Sequence, residues 1–181
     1  MQPEVPFSEG EFRYRLGRVM VRGSVPISLV ELPEFRSFLN LLKPGIAVPS
    51  GNTVKSDLTK CHHEQMGRIG EILRNAPSKI SVTLDCWTSP NNKPFLGITG
   101  HYIDNGWTLQ SLLLDFVPLC GEHTGANLCE AFVGACERLG ILDKLLGVTS
   151  DNATNIGKLL TCLEDACFER GVTFSKDQQH V

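Results

Sequence analysis

The chain has 181 residues, of which 41% are apolar, and a formal net charge of −3 at pH 7. This length suits one domain of ordinary size, or one domain with a helical appendage, and allows a buried core. No apolar run approaches the roughly 18 residues of a membrane span. Because the N-terminus, with Pro3, Glu4 and Pro6, lacks the apolar region of a secretory signal, and seven cysteines without tight spacing indicate reduced thiols, we expect an intracellular protein.

The charge is unevenly distributed along the chain. Residues 1–78 carry ten lysines and arginines against eight acids, whereas residues 79–181 carry seven against twelve. The basic excess includes four arginines that are interleaved with tyrosine, leucine, valine and methionine: Arg13, Arg15, Arg18 and Arg22. This pattern suits a surface that faces a DNA phosphate backbone. It is also typical of the solvated face of a helix.

The first part of the chain is predicted to be helical but broken. Prolines interrupt the segment up to about residue 49, so we predict only short elements there. Apolar residues at helical spacing predict a helix over 34–42. Ser50 or Thr53 can cap a longer helix that runs to about Leu73. Residues 1–78 are therefore interpreted as a helical lead-in segment that is partly irregular.

The spacing of the apolar residues changes after this segment. Apolar residues at alternate positions over 80–84 predict a strand that reaches Asp85, with this aspartate on the face opposite the apolar set. Two further strands are predicted over 95–103 and 109–117. The Asp-Asn-Gly sequence at 104–106 between them is a hairpin signal. We therefore expect three consecutive antiparallel strands.

A helix, a strand and a second helix follow the three strands. Helical spacing predicts the first helix over 126–139, and Gly140 ends it. The strand is predicted over 145–150 and the second helix over 155–170. Because the fourth strand is reached through a helix, it can return parallel to the first strand. Residues 79–181 are thus predicted to form an α/β fold with a mixed sheet.

Two strands of this sheet run into an aspartate, Asp85 on the first and Asp151 after the fourth. The parallel return brings both to the end of the sheet where open α/β folds place their ligands. Paired carboxylate oxygens are suitable ligands for Mg²⁺ or Mn²⁺, which polarise phosphoryl oxygens. The alternative is that each aspartate is a turn residue or a helix N-cap.

The order of the elements and several motifs resemble the hobo/Activator (hAT) superfamily of DNA transposases, whose catalytic core has a ribonuclease H-like fold. The motifs are LDCWTS at 84–89, FLGITGHYID at 95–104, WTLQS at 107–111, LDF at 114–116, HTG at 123–125 and TSDNATN at 149–155. The similarity begins at about Val30 and is strongest over 79–157.

This resemblance implies cut-and-paste DNA transposition, in which Asp, Asp and Glu hold two divalent metal ions. Asp85 corresponds to the first acid and Asp151 to the second. The implied cofactor is Mg²⁺ or Mn²⁺, the partner is DNA at transposon ends, self-association is allowed, and the location is the nucleus. No membrane and no small-molecule cofactor are implied.

Two parts of the family pattern are missing from the chain. No position corresponds to the third acid, and no pair of closely spaced cysteines precedes a pair of histidines as in an N-terminal zinc finger. The resemblance therefore implies a fragment with an incomplete ribonuclease H-like core. We expect such a fragment to bind metal weakly and not to cleave DNA alone.

Four residues near the two aspartates are further site candidates. Trp87 matches a family tryptophan and is expected to pack under the catalytic pocket. His123 matches a family histidine, with a role near the DNA strand or the metal, or as an ordering hydrogen-bond partner. Ser89 can contact phosphate or cap a turn. Asn152 can orient the second aspartate or cap the next helix.

Two other functions remain open on the sequence alone. One is a non-catalytic, transposase-derived module that keeps the fold for DNA binding or protein association. The other is a small metal-dependent phosphatase or nuclease with a complete site of its own. The latter requires a carboxylate of the last predicted helix, such as Glu164 or Asp165, to reach the aspartate pair.

Overall fold

A computed structural model describes residues 6–119, 124–150 and 153–175 of the chain. These residues fall into two compact units that divide after Gln65. No helix in these ranges has both the length and the apolar composition of a membrane-spanning helix. The first unit contains α1 (Glu9–Gly23), a 3₁₀ turn (Ile27–Glu31), α2 (Pro33–Leu42) and the start of α3 (Gly51–Arg74).

Helix α1 shows that the prediction of only short elements before residue 49 was wrong, because it is 15 residues long. Pro6 and Pro26 flank this helix, and no proline lies between them to interrupt its hydrogen bonds. The Ser8 hydroxyl caps the N-terminus by accepting a hydrogen bond from the N–H of Glu11 at 3.1 Å. Serine followed by glutamate three residues later is the sequence pattern of a capping box.

The core of the first unit is small. Its buried residues are Leu16, Met20, Val30 and Val54. The helix predicted over 34–42 is confirmed as α2, although none of its residues is buried. The longer helix is confirmed as α3, and the Ser50 hydroxyl accepts a hydrogen bond from the N–H of Thr53 at 3.2 Å, as expected for its cap.

The second unit is a mixed four-stranded sheet with two helices. Its strands are β1 (Ile80–Thr88), β2 (Pro94–Ile103), β3 (Leu109–Pro118) and β4 (Leu145–Ser150), and its helices are α4 (Gly125–Leu139) and α5 (Ala153–Glu169). The strand order is β3-β2-β1-β4. The pairs β1–β2 and β2–β3 are antiparallel, and β1–β4 is parallel. The predicted meander and the parallel return of the fourth strand are therefore confirmed.

One face of this sheet packs against α4 and α5. The largest fully buried side chain described in this core is Phe132 of α4. Strand residues that share the core are Ile80, Val82, Leu84, Leu96, Ile98, Leu114, Leu145 and Val148. Gly140 ends α4 in the left-handed conformation with φ 67°, as predicted. The alternation along β1 thus buries one set of residues and leaves the other face free of the helices.

Basic side chains cap the C-termini of α3 and α4. The ammonium Nζ of Lys144 donates to the carbonyl oxygens of Leu73 (3.1 Å), Arg74 (2.8 Å) and Ala76 (2.6 Å). In turn, Nη1 of Arg74 donates to the carbonyl oxygen of Leu139 at 2.8 Å. Carbonyl groups at a helix C-terminus lack partners within the helix and carry partial negative charge. The two cations therefore stabilise both helix ends.

The hairpin between β2 and β3 is organised by the carboxylate of Asp104. Its Oδ1 accepts hydrogen bonds from the N–H groups of Gly106 (2.8 Å) and Thr108 (3.0 Å). Its Oδ2 accepts from Nε2 of Gln110 at 2.7 Å. These bonds, above all those from Thr108 and Gln110, hold the pKa of Asp104 below its usual value. The hairpin signal at 104–106 is confirmed.

The lowered pKa of Asp104 makes the hairpin sensitive to acid. A carboxyl group whose pKa is lower in the folded state stabilises the fold above its unfolded pKa, and loses that effect as pH falls through the folded pKa. Asp104→Asn should therefore lower the free energy of unfolding at neutral pH, and the difference from wild type should shrink in acid. Urea denaturation at neutral and strongly acidic pH checks this, with Asp143→Asn as the exposed control. A difference that is unchanged in acid would contradict it.

Candidate metal centre beside strands β1 and β4

The parallel pairing of β1 and β4 brings together the residues that precede the two aspartates. Leu84 of β1 is the Cα partner of Ser150, the last residue of β4. Asp85 follows Leu84 in the chain. Asp151 follows Ser150, and both it and Asn152 lie outside the described residues. In the described part of the structure, the residues that immediately precede the two aspartates therefore lie side by side on neighbouring strands.

Asp85 lies within β1 and not at its end, which corrects the predicted strand boundary. The strand continues for three residues to Thr88 because its pairing with β2 continues. Asp85 pairs with Gly97, and Trp87 pairs with Phe95. The position at which β1 ends is thus determined by its pairing with β2. The alternation of apolar residues along β1 alone does not predict this position.

The side chain of Asp85 is exposed, on the sheet face away from α4 and α5. No described residue donates a hydrogen bond to its carboxylate or forms an ion pair with it. Within the described ranges, no three His, Cys, Asp or Glu side chains are grouped to hold a metal ion. Asp85 thus offers hard oxygen atoms, which suit Mg²⁺ or Mn²⁺, but not a complete site within these ranges.

Trp87 lies two residues from Asp85 on the same face of β1. A Cβ atom on Gly97 would lie 3.1 Å from Cζ3 of the Trp87 indole, so this ring covers the glycine. The indole centroid is 5.1 Å from that of Phe116 and 6.2 Å from that of Phe95. Trp87 remains 38% exposed. It therefore forms part of an aromatic cluster beside Asp85 on the open face of the sheet.

Ser89 has a role in the turn that follows β1. Its Oγ accepts a hydrogen bond from the N–H of Lys93 at 3.2 Å, and its own N–H donates to the carbonyl oxygen of Lys93 at 2.9 Å. The turn-capping role suggested by the sequence is thus present, and phosphate contact by Ser89 stays a prediction. His123, the other DNA-binding candidate of this unit, lies outside the described residues.

The four candidate arginines lie on α1 in the first unit, and all are exposed. Arg13 donates to both carboxylate oxygens of Asp57, through Nε at 2.8 Å and through Nη2. Arg15 donates through Nε to the carboxylate of Glu11. Arg18 and Arg22 form no ion pair with any described residue. The arginines thus divide into two that are paired with acids and two that are not.

A hydrogen-bonded row of side chains crosses the open face of the sheet, and the sequence reasoning missed it. Nε2 of His101 lies 3.2 Å from the hydroxyl of Thr83, and its Nδ1 lies 2.9 Å from the hydroxyl of Ser111. These residues come from three neighbouring strands. The hairpin at 104–106 implies the pairing of His101 with Ser111, so counting back from this turn could have found that part of the row.

Comparison with known proteins gives one family and several longer relatives. The ZBED1 RNase-like domain model matches residues 83–177. A putative transcriptional regulator, tpeD of Talaromyces stipitatus, is 33% identical over 84% of this chain and 18% of its own length. The putative AC transposase of Zea mays is 29% identical over 77% of this chain and 17% of its own length.

The zinc finger BED domain-containing protein DAYSLEEPER of Arabidopsis thaliana is 27% identical over 81% of this chain and 21% of its own length. The chain thus spans about a fifth of the length of these curated relatives. The matched family region contains all of the sheet beyond Val82 and both predicted acids. With a mixed sheet of the order expected for a ribonuclease H-like fold, the chain belongs to the family of the ZBED1 RNase-like domain, a hAT transposase-derived domain.

Proposed function

We propose that Asp85 and Asp151 are two carboxylate ligands of a Mg²⁺ or Mn²⁺ site related to DNA strand cleavage and transfer by hAT-type cut-and-paste transposases. The observation that carries this proposal is the parallel register in which Leu84 pairs with Ser150. Asp85 directly follows Leu84 in the sequence, and Asp151 directly follows Ser150. The names of the relatives, which include a putative AC transposase, support the choice of DNA as the substrate class.

The described surroundings of Asp85 fit a cation ligand. Its carboxylate is exposed and accepts no hydrogen bond from the described residues, so coordination would break none of the described hydrogen bonds. When bound, a divalent cation supplies a Lewis acid that polarises phosphoryl oxygens and helps to activate water or a 3′-hydroxyl. The backbone of Asp85 pairs with Gly97 of β2, and that of Leu84 before it pairs with Ser150 of β4, so the strand that carries the carboxylate is held in the sheet.

The 181 residues contain two of the three acids of the family pattern. We therefore expect the chain by itself to bind metal weakly and to leave DNA uncut. A second candidate function is a non-catalytic module for DNA binding or protein association. It is favoured by the relative named as a putative transcriptional regulator, which is 33% identical to the chain. We propose the nucleus as the location under either function, with DNA as the partner of the first and of the DNA-binding form of the second, and self-association is compatible with both.

Titration with Mn²⁺, followed by NMR line broadening of the whole chain, tests the metal site. We expect millimolar Mn²⁺ to broaden the amide signals of Leu84, Asp85 and Ser150 selectively, because the paramagnetic ion acts on nearby nuclei. Asp85→Asn should remove this broadening without unfolding the chain, since the side chain is exposed.

Asp143→Asn is the matched control for this experiment. Asp143 is an exposed acid in the 3₁₀ turn before β4, at the other end of that strand from Ser150. Its replacement should leave the broadening at Leu84 and Ser150 unchanged. The metal site would be overturned if the wild-type signals stay sharp at millimolar Mn²⁺. It would also be overturned if the same signals broaden equally in wild type and in Asp85→Asn.

A further inference from the structure

Two arginines of α1, Arg18 and Arg22, form no ion pair with an acid among the described residues. Arg18 and Arg22 are four residues apart on one helix, so they lie on the same side, about 6 Å apart along the axis. Like charges at this spacing destabilise a helix slightly. The helix dipole offsets part of this cost for Arg22, which lies in the last turn.

The same two arginines line two open depressions of the surface. One has a volume of about 500 Å³ and is lined by Glu11, Arg15, Arg18, Val19 and Arg22 of α1. The other, of about 200 Å³, contains Arg18 and Arg22 again, with Tyr14, Val21 and Leu58 among its lining residues. The described acids that line them are Glu11 and Asp57, and each is paired with another arginine. Among the described residues, the surface around Arg18 and Arg22 therefore has a net positive charge.

Tyr14 orients one of the two guanidinium groups. The Cζ atom of Arg18 lies 5.7 Å from the centroid of the Tyr14 ring, the geometry of a cation–π contact. A guanidinium group that rests on an aromatic ring keeps its N–H groups available along its edge. Such an edge matches the paired oxygens of a phosphate group.

We propose that Arg18 and Arg22 bind neighbouring phosphates of one DNA strand, whereas Arg13 and Arg15 do not. This inference rests on the proposed function only in its choice of DNA as the polyanion. Two positive groups, one turn apart and without an ion pair to any described acid, complement a strand that carries a negative charge at every nucleotide. Arg13 and Arg15 would first have to release Asp57 and Glu11.

Fluorescence anisotropy with a labelled DNA duplex of arbitrary sequence tests this assignment on the whole chain. The buffer contains EDTA, so that metal binding at Asp85 has no influence on the result. We expect the double variant Arg18→Gln/Arg22→Gln to bind about tenfold more weakly at low salt. Each lost phosphate contact removes about 0.9 from the slope of log affinity against log salt concentration, so this slope should fall by about 1.8.

Glu11→Gln/Arg15→Gln is the control, because it removes a paired arginine together with its acid and so leaves the net charge of α1 unchanged. Its affinity should stay within about twofold of wild type, since the ion pair as a whole carries no net charge. Circular dichroism should show unchanged helix content for all variants.

Three results would overturn the assignment. They are no binding by the wild type at low salt, an equal loss in Glu11→Gln/Arg15→Gln, and competition by polyglutamate as effective as by unlabelled DNA, which would indicate an acidic protein partner. If the arginine variants fail this test while Mn²⁺ still broadens the signals beside Asp85, only the DNA-binding role of Arg18 and Arg22 is overturned. If the arginine test succeeds and the Mn²⁺ broadening is absent, only the metal site is overturned.

Discussion

Replacing Phe132 by alanine is expected to lower the free energy of unfolding of the second unit by about 4 kcal/mol. The side chain is completely buried in the core between α4 and the sheet. Its removal takes away a large apolar area from that core and leaves a cavity that the surrounding strands can fill only in part.

Urea denaturation followed by tryptophan fluorescence measures this effect. Both tryptophans of the chain, Trp87 and Trp107, lie in the second unit, so the signal reports on this unit without a contribution from the first. Phe168→Ala is the control, because Phe168 on α5 is 84% exposed, and its replacement should change the free energy by less than about 0.5 kcal/mol. Similar values for both variants would show that Phe132 is not at the centre of the core.

Replacing Lys144 by methionine should lower the free energy of unfolding by about 2 kcal/mol, since hydrogen bonds to charged groups contribute more than neutral ones. Methionine retains a long apolar side chain but leaves the carbonyl oxygens of Leu73, Arg74 and Ala76 without the ammonium donor. The loss should also free the last turn of α3, because the cation opposes the negative end of its dipole.

Hydrogen exchange measures this second effect locally. The amides in the last turn of α3 should exchange faster in Lys144→Met, while those of β2 change less. Lys158→Met on the exposed side of α5 is the control, and it should leave both the exchange rates and the free energy of unfolding close to wild type. Unchanged protection of α3 in Lys144→Met would contradict the capping role.

Local patterns predicted most of the second unit. Three of these patterns determine only the structure of the few residues around them, so the structure agrees with them closely. They are the alternation along 80–84, the hairpin residues at 104–106 and the helix-ending Gly140. Helix α1 was not predicted, because the prolines on both sides of it indicate short elements for the segment as a whole. The uninterrupted stretch between Pro6 and Pro26, with its capping serine, contained the needed signal.

Contacts between distant residues limited what the sequence could predict about the candidate sites. The ion pair of Arg13 with Asp57 joins residues 44 positions apart, so no local pattern distinguishes Arg13 from Arg18. The pair of Arg15 with Glu11 follows helical spacing and could have been predicted once α1 was recognised. The position of Asp85 inside β1 depends on pairing with β2, which is likewise not local.

The contact between Trp87 and Gly97 has a consequence for how this surface can change. The indole occupies the space into which any side chain at position 97 would project. A larger residue at 97 must therefore displace the ring, and a smaller residue at 87 removes that obstacle. We expect these two positions to covary among relatives: a bulky aromatic residue at one should accompany glycine at the other, and loss of the aromatic residue should relax the requirement for glycine.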